Sequence, residues 1–184
     1  MEIGFALTKL LAILTLSGNL LTIGLCIFFV IRRSIFDGII EWLGEHALCI
    51  GLVISSGATL GSLVYSEVVG YPACILCWIQ RVFMYPQLFL FSLALWRKER
   101  NIIPYALSLS LLGGAVALYQ WVKDMLALYT HVALGCPVVV GLPSCDRMYV
   151  LEFGYITIPM IALNAFILLT LVMWAGLRRA KSGE

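Results

Sequence analysis

Four of the six cysteines in this 184-residue chain stand in pairs whose spacing suits thiol–disulfide exchange. Cys74-Ile75-Leu76-Cys77 is a CxxC, and Cys136 and Cys145 follow with eight residues between them. A CxxC closes a short, strained ring that suits exchange better than stapling. An apolar run opens at Cys74, which places the motif at a helix N-terminus. There the free N–H groups and the positive end of the helix dipole stabilise a thiolate, the reactive species. Arg81 lies four residues past Cys77, on the same helical face one turn further on. Covalent haem attachment needs a histidine where Trp78 stands. Four thiolates could hold zinc, but no ligand histidine lies near, so no metal site is expected.

The elements that must position these residues are membrane spans. Sixty-two per cent of the chain is apolar and 12% charged, and mean hydropathy is +1.01. A soluble domain of this length needs more polar surface, and a net charge of +2 gives no sign of nucleic-acid binding. Five runs reach the roughly 20 residues that a helix needs to cross a bilayer: Phe5–Ile31, Ala47–Val69, Cys74–Trp96, Ile102–Val122 and Phe153–Leu177. Arg32 and Arg33 follow the first run, Arg97, Lys98 and Arg100 the third, and Arg178, Arg179 and Lys181 the fifth. These eight of the twelve basic residues share one side if all five runs cross, and the positive-inside rule makes that side cytoplasmic. The N-terminus then lies outside, the C-terminus inside, and the Tyr71–Pro72 turn and the Lys123–Glu152 segment face outward. The first run lacks a basic stretch ahead of it and is too long for a leader, so it reads as a retained helix.

With this topology all four paired cysteines converge on the outer face, where an oxidising compartment favours disulfides. Four cysteines allow three pairings. The local set, Cys74–Cys77 and Cys136–Cys145, is the natural resting one, and exchange would generate the others. At 1.5 Å per residue Arg81 lies roughly 10 Å into its helix. A mid-membrane arginine costs about 2.5–3.5 kcal/mol, less near an interface, so a compensating partner is expected. The functional reading is a cation beside a reactive thiolate and a polar cofactor oxygen; the alternative is a side chain snorkelling to headgroups. Cys26 and Cys49 fall within or at the cytoplasmic end of apolar helices and read as small hydrophobes.

The chain divides into an extra N-terminal transmembrane helix (1–33), a connector (34–46), a membrane bundle (47–177) with an outer loop (123–152), and a cytoplasmic tail (178–184). In the connector Ile35, Phe36, Ile39, Ile40 and Leu43 share one helical face and Asp37, Glu41 and Glu45 another, an interfacial amphipathic helix. Gly57 and Gly61 form a small-xxx-small pair for close helix approach, and Gly113 and Gly114 suggest the same. Pro86 and Pro159 fall inside predicted spans as potential kinks. The outer segment begins as a continuation of the fourth helix through Met125, Leu126 and Tyr129. It then becomes a turn-rich loop through Gly135-Cys136-Pro137 and Gly141-Leu142-Pro143-Ser144-Cys145.

Cys74-Ile75-Leu76-Cys77-Trp78-Ile79-Gln80-Arg81, followed by Phe83-Met84-Tyr85-Pro86, resembles the signature of the DsbB/BdbC family of disulfide-bond-forming membrane proteins. Phe153-Gly154-Tyr155-Ile156-Thr157-Ile158-Pro159 resembles the start of that family's last span. The likeness runs from about Ala47 to Ala175, roughly 70% of the chain. It implies an all-α membrane fold, here a four-helix transmembrane bundle plus one extra N-terminal transmembrane helix, in a bacterial cytoplasmic (inner) membrane. It implies a quinone, ubiquinone or menaquinone, bound near the outer face by Cys77, Arg81 and Gln80. It further implies a DsbA-like thioredoxin-fold partner that forms a mixed disulfide at Cys136, with Cys145 exchanging with Cys74 and Cys77 passing electrons on.

The first span has no counterpart in the family core. Gln120 stands near the point where members often carry a histidine; it can hydrogen-bond a quinone but cannot change its proton count. The short loop spacing resembles the BdbC branch. Two alternatives remain: a vitamin K epoxide reductase-like enzyme, whose loop cysteines precede its CxxC, and a non-catalytic membrane protein with structural outer-loop disulfides.

Overall fold

The computed structural model describes residues 9–10, 13, 15–20, 24, 33–131, 135–136, 141–145 and 147–182. Most of the predicted first span, and Cys26 with it, lies outside these. Among the described residues every regular element is helical: α1 (Arg33–Glu45), α2 (Ala47–Leu63), α3 (Ile75–Arg97), α4 (Ile103–Thr130) and α5 (Ile158–Ser182). Three of these stretches are long and apolar enough to cross a membrane: Ala47–Val68, Ile103–Thr130 and Ile158–Ala180. At 23 residues α3 is as long, but it carries Gln80, Arg81 and Gln87, of which the two glutamines are buried.

α2, α3, α4 and α5 pack in chain order, and α5 closes the ring against α2. Phe91 of α3, Ala106 and Ala117 of α4, and Phe166, Leu169 and Met173 of α5 fill the centre, all buried. A Cβ on Gly113 would overlap the Phe166 ring, so α4 and α5 meet as closely as they do because residue 113 has no side chain. Gly57 behaves otherwise: a Cβ there would meet nothing within 4 Å. Gly57 lines a cavity, as does Gly61, and Gly57 does not serve the close helix approach expected of it.

One boundary differs from the sequence reading by several residues. The last helix starts at Ile158, not Phe153, because Phe153 (φ 51°) and Gly154 (φ 79°) turn the chain in the left-handed region. Glu152 and Ile156 close that turn with two backbone hydrogen bonds of 2.9 Å. Pro159 is thus the second residue of the helix, where a missing N–H is harmless, and it is no interior kink; Pro86 does lie inside α3. The fourth helix continues to Thr130 as expected.

α1 lies against α5 with Ile40 buried, Ile39 and Leu43 half-buried, and Glu41 and Glu45 exposed. The predicted face thus holds for those residues. Arg179 of α5 pairs with Glu45 at 3.0 Å, and Arg100 donates to the Gly44 and Glu45 carbonyls at 3.1 and 2.8 Å. The guanidinium of Arg179 holds the Glu45 carboxyl below its ordinary range. These interactions satisfy the carbonyls that a helix C-terminus leaves open.

Candidate active site

At the other end of the bundle, α2 runs into a π-helical turn, Val64–Val68, and Gly70 (φ 79°) reverses the chain. Tyr71-Pro72-Ala73 then leads to Cys74, which is extended (φ −76°, ψ 173°) and caps α3. Its carbonyl accepts the first helical hydrogen bond, from Trp78 N at 3.0 Å. Cys74 and Cys77 therefore occupy the N-cap and N3 positions, whose side chains naturally face one another. Their sulfurs lie 3.3 Å apart. Both are free thiols, so the resting disulfide expected at this pair is not what the structure holds. Cys136 and Cys145 are joined as expected, with Cα atoms 6.1 Å apart.

The loop brings the second pair to the first. Cys74, Leu76 and Cys145 form one buried cluster, against which Cys77 and Cys136 also pack. α4 is the rail that holds the loop there. Lys123 donates to the Cys145 carbonyl at 3.0 Å, Tyr119 to Gly135 O at 3.1 Å, Trp121 to Tyr155 O at 3.0 Å, and Tyr129 to Gly154 O at 2.8 Å. A stack of three tyrosines ties the loop to the α2–α3 turn from the other side: Tyr65–Tyr71 centroids lie 6.1 Å apart and Tyr71–Tyr149 centroids 4.8 Å apart.

One turn ahead of Lys123, Gln120 reaches the CxxC. Its amide oxygen accepts from Gln80 Nε2 at 2.8 Å, which turns its Nε2 toward Cys74 Sγ at 3.6 Å and Cys77 Sγ at 3.7 Å. α4 thus reaches both cysteine pairs with side chains three residues apart, which share a helical face. Gln80 holds Gln120, so these residues that the sequence singled out form one unit with the sulfurs.

Arg81 has the compensating partner expected of it. Its Nε and one terminal nitrogen donate to Ser62 Oγ at 2.9 Å and Ser62 O at 3.1 Å, and the guanidinium lies 5.1 Å from the Trp78 ring centre. Cys77, Gln80, Arg81 and Gln120 line a cavity of about 330 Å³. Near the sulfurs its wall also includes Tyr149 and Thr157, whose buried hydroxyls find no protein partner among the described residues. The wall also carries apolar side chains, Val53, Ile54 and Ala58 of α2, Met84 of α3, and Ile161, Ala162 and Leu168 of α5, with Thr15 and Asn164 among them.

Cys49 lies apart from the site. It is exposed on the surface of α2. Sequence reasoning missed Lys123, which is 2% exposed. The signal was available, since Lys123-Asp124 interrupts an otherwise apolar helix just past a predicted span. Ser62, Tyr149 and Thr157 carried no signal.

Residues 44–176 match the family model "Disulfide bond formation protein DsbB". Among curated relatives, the "Probable disulfide formation protein C 1" of Bacillus anthracis is 37% identical over 67% of this chain and 86% of its own length. The "Disulfide bond formation protein C" of Bacillus subtilis (strain 168) is 33% identical over 66% and 85%. The "Probable disulfide formation protein" of Coxiella burnetii (strain CbuK_Q154) is 36% identical over 61% and 75%. No solved structure matches the chain. With two cysteine pairs gathered at one end of a helical bundle and this match over most of its length, the chain belongs to the DsbB family of membrane oxidoreductases of disulfide bond formation.

Proposed function

We propose that the chain oxidises the dithiol of a secreted, DsbA-like thioredoxin-fold partner and passes the electron pair to a membrane quinone, ubiquinone or menaquinone. The observation that carries this reading is the gathering of both cysteine pairs beside one cavity whose wall holds both polar and apolar side chains. Such a wall fits a ligand with a polar head and a long apolar tail. The unpartnered hydroxyls of Tyr149 and Thr157 fit oxygen atoms of such a head.

In this reading the partner's thiolate attacks Cys136, which is half-buried and so reachable, and displaces Cys145 as a thiolate. Cys145 attacks Cys74 of an oxidised Cys74–Cys77 pair and releases Cys77. The partner's second thiol then displaces Cys136, and the partner leaves as a disulfide. Cys136 resolves the Cys74–Cys145 bond, so the loop disulfide is restored and two electrons rest on Cys74 and Cys77. A quinone supplies the sink for two electrons and two protons. Cys77, Arg81 and Gln80 are the residues set to hold it, with the Arg81 cation offsetting negative charge at an oxygen.

The basic residues Arg97, Lys98, Arg100, Arg178 and Arg179 lie at the far ends of α3 and α5 from the cysteines. The positive-inside rule puts that end in the cytoplasm and the redox end outside. The test is quinone reduction followed optically with purified protein and a reduced thioredoxin-fold partner. Turnover is expected, and it disappears in Cys74→Ser, Cys77→Ser, Cys136→Ser and Cys145→Ser. Folded protein that reduces no quinone would overturn the reading.

A further inference from the structure

Asn164 is a polar residue one-quarter of the way along a membrane-spanning helix, and it is 6% exposed. Its amide has two N–H donors, and both go to the N-terminal segment: to the Thr15 carbonyl at 3.2 Å and to the Asn19 side-chain oxygen. Gly18 sits directly against the same amide, since a Cβ there would lie 2.8 Å from Asn164 Oδ1. Thr15, Gly18 and Asn19 share one face of a helical segment at i, i+3, i+4 spacing. Thr15 is 4% exposed, whereas Ile13 and Leu20, on the other face, are 57% and 63% exposed. Buried amides without partners in an apolar medium are costly. Asn164 is therefore explained by this docked segment and by nothing on its own helix.

The docking point is also a wall of the active site. Thr15 and Asn164 both line the cavity, next to Ile161, Ala165 and Leu168 on the same face of α5. The family match begins at residue 44, so the segment is an addition to the family core.

We propose that the N-terminal segment, locked to α5 through Asn164, contributes Thr15 to the binding surface for the apolar tail of the electron acceptor and so to the choice among quinones by tail. The proposal rests on the quinone reading above. Its test uses Asn19→Leu and Gly18→Leu, which undo the lock without replacing any residue that lines the cavity. The substrates are a quinone bearing an isoprenoid tail and its tailless parent, with the reduced partner in excess.

The expected result is a KM for the tailed quinone raised about three- to tenfold, the effect of removing one hydrogen bond between membrane helices. The KM for the tailless quinone and the rate of partner oxidation stay unchanged. Equal KM values in wild type and variants, or an equal rise for both quinones, would overturn the proposal. A chemical cross-link in the N19C/N164C double variant tests the docking itself, and failure to form it also counts against the proposal. Wild-type protein that reduces neither quinone would instead remove the quinone reading, an outcome distinct from turnover without tail discrimination.

Discussion

Lys123→Met is the perturbation that most directly probes how the two cysteine pairs are kept in register. Met is close to lysine in length and has no donor. The substitution removes the hydrogen bond to the Cys145 carbonyl at 3.0 Å and the ion pair to Asp124 at 3.7 Å. A hydrogen bond from a charged donor contributes about 1.5–3 kcal/mol. If that energy is what keeps Cys145 seated beside Cys74, the seated fraction falls roughly 10- to 150-fold. The assay is single-turnover exchange from a reduced loop to an oxidised CxxC, quenched by alkylation and resolved by mobility. Stability is a separate readout. Removing one partner of a buried ion pair costs more than replacing both by apolar groups of similar volume. Lys123→Met combined with Asp124→Leu should therefore recover thermal stability in detergent but not the exchange rate, because the Cys145 carbonyl is still untethered. Wild-type exchange in folded Lys123→Met would refute the reasoning, as would full recovery of exchange in the double variant.

Arg81→Ala should raise the quinone KM about tenfold or more while leaving partner oxidation at the loop pair unchanged, since it deletes one charged group at the cavity; an unaltered KM in folded protein would return Arg81 to a structural role beside Ser62. Gln120→Leu leaves the Gln80 amide, 7% exposed, without its acceptor. The loss of about 1–3 kcal/mol should be largely reversed by adding Gln80→Leu, and strictly additive unfolding energies would contradict the pairing. Gly113→Val should lower the thermal midpoint by forcing the Phe166 ring aside, an overpacking cost of about 1–3 kcal/mol. Phe166→Leu in the same background should restore part of it, and a neutral Gly113→Val would mean that α4 and α5 are not held as described. Cys49→Ala should leave turnover unchanged, as Cys49 is exposed and is not among the residues that line the cavity; loss of turnover would refute that placement.

Much of the site was legible because its chemistry is local. A CxxC at the start of an apolar run has to fall at a helix N-terminus, and the N-cap and N3 positions bring its sulfurs together without help from the rest of the chain. Arg81 and Gln80 follow from helical spacing alone. The long apolar helices Ala47–Val68, Ile103–Thr130 and Ile158–Ala180 follow from how many apolar residues a bilayer requires. These are properties of short stretches, so their residues declare them.

What tertiary structure decided is everything that joins stretches far apart. Periodicity could not show that Gln120 would be turned by Gln80 to face both sulfurs, that Ser62 would answer Arg81, or that Lys123 would grip the carbonyl of Cys145. Each depends on the rotation of one helix against another. Gly57 and Gly113 make the point together: both lie in small-residue settings, yet one borders open space and the other is pressed by Phe166. An isolated helix presents the same bare backbone in either case. Only the neighbour across the interface determines whether that space is filled by an aromatic ring or left as the wall of a cavity.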